Sequence, residues 1–248
     1  MDIAKLFPSQ AAPSCLQELS FPAGLKIVVL APHPDDFDAI ALSLCFFHQL
    51  GAEIHLAVLT DGASGVEDGY MGATDHAAKA ALREAEQTAS CELFGLPLAR
   101  LSFLRLPADA NGNPRLDESN HVTIRNYLVE RQPQFVFLPH GNDSNVTHQR
   151  TYSLFRAAAL QEKLQLWAVL NQDAKTIAIR HDLYTAFDIE AAEWKARLLR
   201  LHQSQHQRNL NTRGHGFDER VLAVNQASAN TLGISAPYAE VFELEYYK

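Results

Sequence analysis

The stretch Leu25-Lys26-Ile27-Val28-Val29-Leu30-Ala31 is apolar at every position except Lys26, and it runs straight into Pro32-His33-Pro34-Asp35-Asp36. A run without polar alternation is apolar on both faces, which predicts a strand buried in a parallel sheet. Ligands of such sheets gather beyond the carboxyl ends of the strands, where His33 and the two aspartates stand. Imidazole and carboxylate are ordinary Zn²⁺ ligands, and three protein ligands plus water make an open, catalytic coordination sphere. A turn at Pro34 lets His33 and Asp36 converge and leaves Asp35 beside the metal to handle protons of a bound water. The same residues also read as a helix start, with Asp35 and Asp36 capping a helix that begins near Asp38 and His33 incidental.

Downstream, strand and helix patterns alternate. Ala39 to Leu50 has helical apolar spacing and stops at Gly51. Glu53 to Thr60 reads as a strand and delivers the small-residue loop Asp61-Gly62-Ala63-Ser64-Gly65. Asp75 to Phe94 suits a long helix closed by Gly95 and Pro97, and Arg100 to Leu106 a third strand. After a turn at Asn111-Gly112-Asn113-Pro114, His121 to Arg131 reads as helix. Gln134 to Leu138 reads as a short strand running into the polar segment Pro139 to His148. Thr151 to Lys163 is a further helix, and Leu164 to Leu170 and Ile177 to Ile179 read as later strands. This alternation predicts right-handed crossovers and a mainly parallel sheet, an α/β, Rossmann-like three-layer fold with three polar clusters on one rim. The glycines of residues 62 to 72 lack the spacing of a dinucleotide fingerprint, so nucleotide binding is a weak alternative.

Composition narrows the class. With 248 residues and 47% hydrophobic content, the chain is expected to bury a large core as a single domain spanning 1–248, with residues 1–20 as an N-terminal extension. A formal charge of −8 argues against nucleic acid as a partner. Cys15, Cys45 and Cys91 are odd in number and widely spaced, which predicts reduced thiols in a cytoplasmic protein and leaves His and carboxylate for any metal. Met1 to Ser20 does not resemble a signal peptide, and no segment approaches the roughly 20 apolar residues of a membrane span, so no membrane insertion is expected.

Taken in order, these motifs resemble the PIG-L/LmbE-like family of zinc-dependent N-deacetylases, from about Lys26 to Phe242. The resemblance is carried by Pro32-His33-Pro34-Asp35-Asp36 and by Thr60-Asp61-Gly62 with Gly65. It continues through the helix bearing Arg83 and Glu86, and through Pro139 to His148 with its spacing from Asp143 to His148. Lys195 with His202-Gln203-Ser204-Gln205, and Tyr238 to Phe242, close the series. It implies a zinc, or another divalent metal such as Fe²⁺, held by His33, Asp36 and His148, with Asp35 as general base. The implied reaction is hydrolysis of an acetamide, commonly on an N-acetylglucosamine unit. Arg83 matches an arginine that reaches the substrate, its alternative being a helix-surface pair with Glu86 or Gln87. Asp143 sits where a carboxylate orients a ligand histidine or accepts sugar hydroxyls, its alternative being to stabilise the loop.

Three positions depart from that pattern. Asn145 stands where a histidine usually stabilises the oxyanion, Thr147 where an Asp precedes the ligand, and Phe37 where a Glu is common. Asn145 still offers a neutral donor, and losing one such donor costs roughly 10²- to 10³-fold in rate. His140 is a second candidate for that role if its loop folds back. His202 is expected to be structural, Arg213 through Arg220 a solvated surface loop with a flexible substrate-rim loop as its alternative, and Glu240 either a tie to the sheet or a pocket wall. The leading expectation is a metal-dependent N-deacetylase acting on a small amino-sugar conjugate, possible as a homo-oligomer. The alternatives are a catalytically weakened sugar- or metabolite-binding protein and an amidase acting on a larger amide.

Overall fold

In the computed structural model the described residues are Ala4, Leu6, Phe7 and 12–248. In chain order the regular elements are β1 (Ser14–Cys15), β2 (Lys26–Ala31), α1 (Ala41–Gln49), β3 (Glu53–Val58), α2 (His76–Phe94) and β4 (Leu101–Phe103). They continue with α3 (Glu118–Arg131), β5 (Phe135–Pro139), α4 (Val146–Gln161), β6 (Leu166–Asn171) and β7 (Leu183–Phe187). The chain closes with α5 (Ile189–Arg200), α6 (Gln203–Arg213), α7 (Phe217–Leu232) and β8 (Tyr238–Tyr247).

All eight strands form one sheet in the order β1-β7-β8-β6-β5-β2-β3-β4. Five pairings are parallel; β8 runs antiparallel to both of its neighbours, β6 and β7. The expected mainly parallel α/β sheet is present, with this one reversed strand. Successive residues of β2 alternate between two cores. Ile27, Val29 and Ala31 face a cluster with Leu44 and Phe47 of α1 and Cys91 and Phe94 of α2. Val28 and Leu30 face Ile124 and Leu128 of α3 and Phe155 of α4. Helices therefore cover both faces. Ile27, Val28, Val29 and Leu30 are all buried, and each such burial is worth about 1.5–3 kcal/mol. The strand that delivers the His33 turn is thus clamped from both sides.

The chain leaves β2 to one side for β3 and β4 and returns to its other side with β5 and β6. That reversal makes the β2/β5 junction the switch point of the sheet, where the crevice of an open α/β sheet lies. His33 follows β2 and His148 follows β5, so the topology alone sets the two histidines at one crevice.

Several expectations change in detail. Helix α4 starts at Val146 rather than near Thr151, because Asn145 accepts a hydrogen bond from Thr147 N (3.0 Å) and caps it. Ile177 to Ile179 is not a strand. Ile177 is exposed and its N–H goes to Asn142 O (2.9 Å), so the segment lies across the loop after β5, and the strand comes later as β7. Arg213 through Arg220 is not a solvated loop: α6 ends there, α7 starts at Phe217, and Phe217 and Asp218 are buried. Part of the expected N-terminal extension joins the fold, since β1 pairs with β7 and Phe7 packs 5.5 Å from Phe135 between ring centroids. Residues 1–3, 5 and 8–11 of that stretch lie outside the described residues. Cys15, Cys45 and Cys91 are free thiols. Among the described residues no helix is long and apolar enough to cross a membrane.

Candidate functional site

Beyond β2 the chain turns so tightly that Asp35 has φ +134°, a conformation an L-residue rarely adopts. Such strain costs about 1–3 kcal/mol and persists only where the surroundings impose it. Here they do. Gln87 Oε1 accepts from Asp35 N (2.9 Å), Asp35 O accepts from Asp38 N (3.0 Å), and Arg83 Nη2 donates to Asp35 Oδ2 (2.7 Å) and to Pro34 O. Gly62 completes the clamp. It sits at φ +64°, and a Cβ there would stand 2.9 Å from Pro34 Cδ and 3.1 Å from Arg83 Nε, so only glycine lets the loop after β3 close on the turn.

The turn presents His33 and Asp36 to His148 in the first turn of α4. His33 Nδ1 lies 3.2 Å from Asp36 Oδ2, and His148 Nε2 lies 3.6 Å from Asp36 Oδ1. One ligand-type atom from each of these three residues falls within 4.8 Å of the others. On the far side of His148, Nδ1 lies 3.2 Å from Asp143 Oδ2 and 3.9 Å from Asp173 Oδ2. A carboxylate on Nδ1 fixes the tautomer and leaves Nε2 as the ligand atom. Two imidazoles and a carboxylate converging from two loops, one imidazole braced from behind, fit a divalent metal and leave coordination positions open.

The charges gathered at the site shift its titrating groups in different directions. Burial pushes the Asp36 carboxyl up, but His148 and the hydrogen bonds from His33 outweigh it and hold the group well below the usual carboxylate range. Burial disfavours charge on His148, yet Asp36, Asp143 and Asp173 raise its pKa to about 9. Asp35 goes the other way: burial raises its pKa, and the Arg83 guanidinium only partly offsets that. Two adjacent carboxylates therefore differ in character, one an anion held for ligation and one of raised basicity.

These residues border a cavity of about 150 Å³ whose lining includes His33, Asp35, Asp36, Asn145 and His148. Asn145 fixes its own amide: Oδ1 is taken by the helix cap, and among the described residues Nδ2 has no hydrogen-bond partner, on a residue that lines the cavity. Arg83 also borders the cavity, but it is buried and its Nη groups donate to Asp35, Pro34, Glu86 (3.0 Å) and Ser204 (3.5 Å), while Nε has no partner among the described residues. Asp143 is fully buried beneath His148 and accepts from Asn145 N (2.6 Å), away from the cavity lining.

His140 does not replace the missing histidine. Its Nε2 lies 3.2 Å from Glu243 and its Nδ1 accepts from Asn142 N, outside the cavity. Phe37 is core, packed edge-on against Phe94 (4.9 Å), and Thr147 Oγ1 donates to Asn113 (2.9 Å). The closing segments are scaffold. His202 Nε2 pairs with Asp38 (2.6 Å), Ser204 N and Oγ reach Glu86, and Gln205 Nε2 donates to Gly65 O (3.0 Å). Glu240 ties the sheet to the rest: it holds buried Lys195 (2.7 Å) and accepts from Leu42 N and Ser43 N at the start of α1.

Sequence reasoning does not single out Asp173, Lys175, Arg208 or Asn209 among the polar lining residues; it reaches Gln205 only through a closing segment of the resemblance and Arg220 only as part of the loop weighed as a substrate rim. Asp173 and Lys175 follow β6 just as the other clusters follow their strands, so the same rule could have found them. Arg208 and Asn209 sit in a helix and carry no sequence signal.

Residues 28–159 match the model of the PIG-L family, described as GlcNAc-PI de-N-acetylase. No curated protein matches the chain by sequence. Among solved structures, the N,N'-diacetylchitobiose deacetylase of Pyrococcus horikoshii is similar at TM-score 0.73 and 18% identity, over 89% of this chain and 84% of that one. A teicoplanin deacetylase, in a form described as zinc-inhibited, gives TM-score 0.65 at 16% identity over 90% and 99%. The 4-carboxy-2-hydroxymuconate hydratase of Pseudomonas putida gives 0.67 at 18% over 91% and 97%. A shared fold thus accompanies two reaction types, and the residues of the site have to decide between them.

Proposed function

The chain belongs to the PIG-L family of GlcNAc-PI de-N-acetylases, and from that premise we propose that it removes the N-acetyl group of an amino-sugar conjugate, using zinc or another divalent ion such as Fe²⁺ at His33, Asp36 and His148. The observation that carries this reading is the pairing of the three converging ligands with Asp35, a buried carboxylate of raised basicity on the same cavity. A divalent ion bound there supplies Lewis acidity to the amide carbonyl and to the attacking water.

The chain's own residues do the rest. Asp35 accepts the proton of the attacking water and later delivers it to the leaving nitrogen, one carboxylate serving as base and then acid. Arg83 holds that carboxylate in place from behind. Asn145 donates Nδ2 to the developing oxyanion, a neutral substitute for an imidazolium. Asp143 keeps His148 oriented. The small polar cavity suits a sugar acetamide better than a long apolar acyl chain.

The test is acetate release from a panel of N-acetylated amino sugars by metal-loaded protein. Asp35→Asn is expected to lower turnover about 10²- to 10⁴-fold with metal content unchanged. No acetate from any member of the panel would overturn the reading, and retained metal binding would then favour a sugar- or metabolite-binding role.

A further inference from the structure

Most of the arginines on this protein's surface are neutralised. Arg105 pairs with Glu84, Arg115 with Asp117, Arg131 with Glu130, Arg150 with Asp109, and Arg200 with Asp218. Three cations bordering the cavity are not. Among the described residues no carboxylate lies within 4.0 Å of the side chains of Lys175, Arg208 or Arg220, and all three line the same cavity. In a chain with 21 Lys and Arg against 29 Asp and Glu, three cations without an ion-pair partner border one cavity.

They come from three separate elements, each fixed in place. Lys175 lies on the loop after β6, whose backbone is tied to the loop after β5 by Ser144 N to Lys175 O (3.0 Å). Arg208 lies on α6, where Gln205 docks on Gly65 O and Arg208 Nη1 reaches the same carbonyl (3.3 Å), leaving most of its donors unused. Arg220 lies on α7 two residues after Asp218. That carboxylate is already engaged by Arg200 (2.7 Å) and faces His206 (3.2 Å). Asp173, two residues before Lys175 and also in the lining, has its carboxylate 3.9 Å from His148.

We propose that Lys175, Arg208 and Arg220 form a seat for an anionic group on the substrate, a phosphate or a carboxylate borne by the part of the conjugate that leaves the acetamide at His33, Asp36 and His148. The proposal rests on the deacetylase reading for the position of the acetamide. A neutral sugar leaves these three cations of the lining without an ion-pair partner. An oxyanion supplies that partner, and two guanidiniums offer it forked, charge-assisted hydrogen bonds.

Three substrates separate the possibilities: methyl N-acetylglucosaminide as the neutral probe, N-acetylglucosamine 1-phosphate, and N-acetylmuramic acid as the carboxylate. At least one anionic substrate is expected to show a KM about tenfold or more below the neutral one, the size of one good charge-assisted contact. The phosphate and carboxylate arms show which group the seat takes. Arg220→Gln and Lys175→Gln are each expected to shrink this preference, and Arg220→Lys to restore part of it. Calorimetric binding of glucosamine 1-phosphate and of methyl glucosaminide to metal-free protein gives the same comparison without turnover. Equal KM values for all three substrates, or a preference untouched by both Gln variants, overturns the anion seat while leaving deacetylation intact. Absence of acetate from every substrate overturns the deacetylase reading instead, and calorimetry then still decides the seat.

Discussion

Replacing Asp143 by Asn probes how the site is braced without touching a ligand. Asp143 is fully buried; Oδ2 faces His148 Nδ1 at 3.2 Å, while Oδ1 accepts from Asn145 N at 2.6 Å. An asparagine keeps an acceptor for the backbone bond but removes the charge that fixes the imidazole tautomer. Loss of such a carboxylate behind a ligand histidine weakens metal affinity about 10- to 100-fold, roughly 1.4–2.7 kcal/mol. Asp173 stands 3.9 Å from the same nitrogen and can take over part of the role. The single variant is therefore expected near tenfold and Asp143→Asn with Asp173→Asn near a hundredfold. Competition for Zn²⁺ against a chromophoric chelator at fixed pH measures both, with circular dichroism to verify folding. A folded Asp143→Asn protein whose zinc Kd lies within about twofold of wild type would refute the bracing argument.

His148→Ala is expected to empty the site, whereas Asn145→Ala keeps the metal and lowers turnover about 10²- to 10³-fold; equal metal content in His148→Ala and wild type refutes the ligand assignment. Glu240→Gln leaves the buried Lys195 ammonium without its counter-charge and weakens the bonds at the start of α1, so urea unfolding should show a loss of about 3–5 kcal/mol; Lys195→Met added to it should recover part of that loss. Gly62→Ala forces a Cβ against Pro34 and Arg83 at a positive φ, and acetate release is expected to fall more than the urea midpoint, because the clamped turn carries Asp35; unchanged turnover would show that the turn tolerates the displacement.

Much of this arrangement is legible in the linear chain because it depends on local rules. A doubly apolar run has to be buried between helix layers, and polar residues at its carboxyl end have to fall on the rim, which puts His33, Asp35 and Asp36 there from the pattern of residues alone. The first turn of α4 escapes such rules because Asn145, conspicuous for its chemistry, is also a helix cap. Ile177 to Ile179 misleads because an apolar triplet lying across a loop has the composition of a strand.

By itself the sequence determined the α/β class, the strand that carries the ligand turn, and the residue types able to bind a metal and move a proton, since these follow from periodicity and donor chemistry. The meeting of His33 and His148 was implied by the family resemblance, and the tertiary structure supplies its cause, the neighbouring of β2 and β5; tertiary structure alone decided that Arg83 grips Asp35, from 48 positions away, and that Lys175, Arg208 and Arg220 border one cavity. The physical reason is the same in each case. Which distant segments meet depends on how the whole sheet packs its two faces, and no local pattern encodes that.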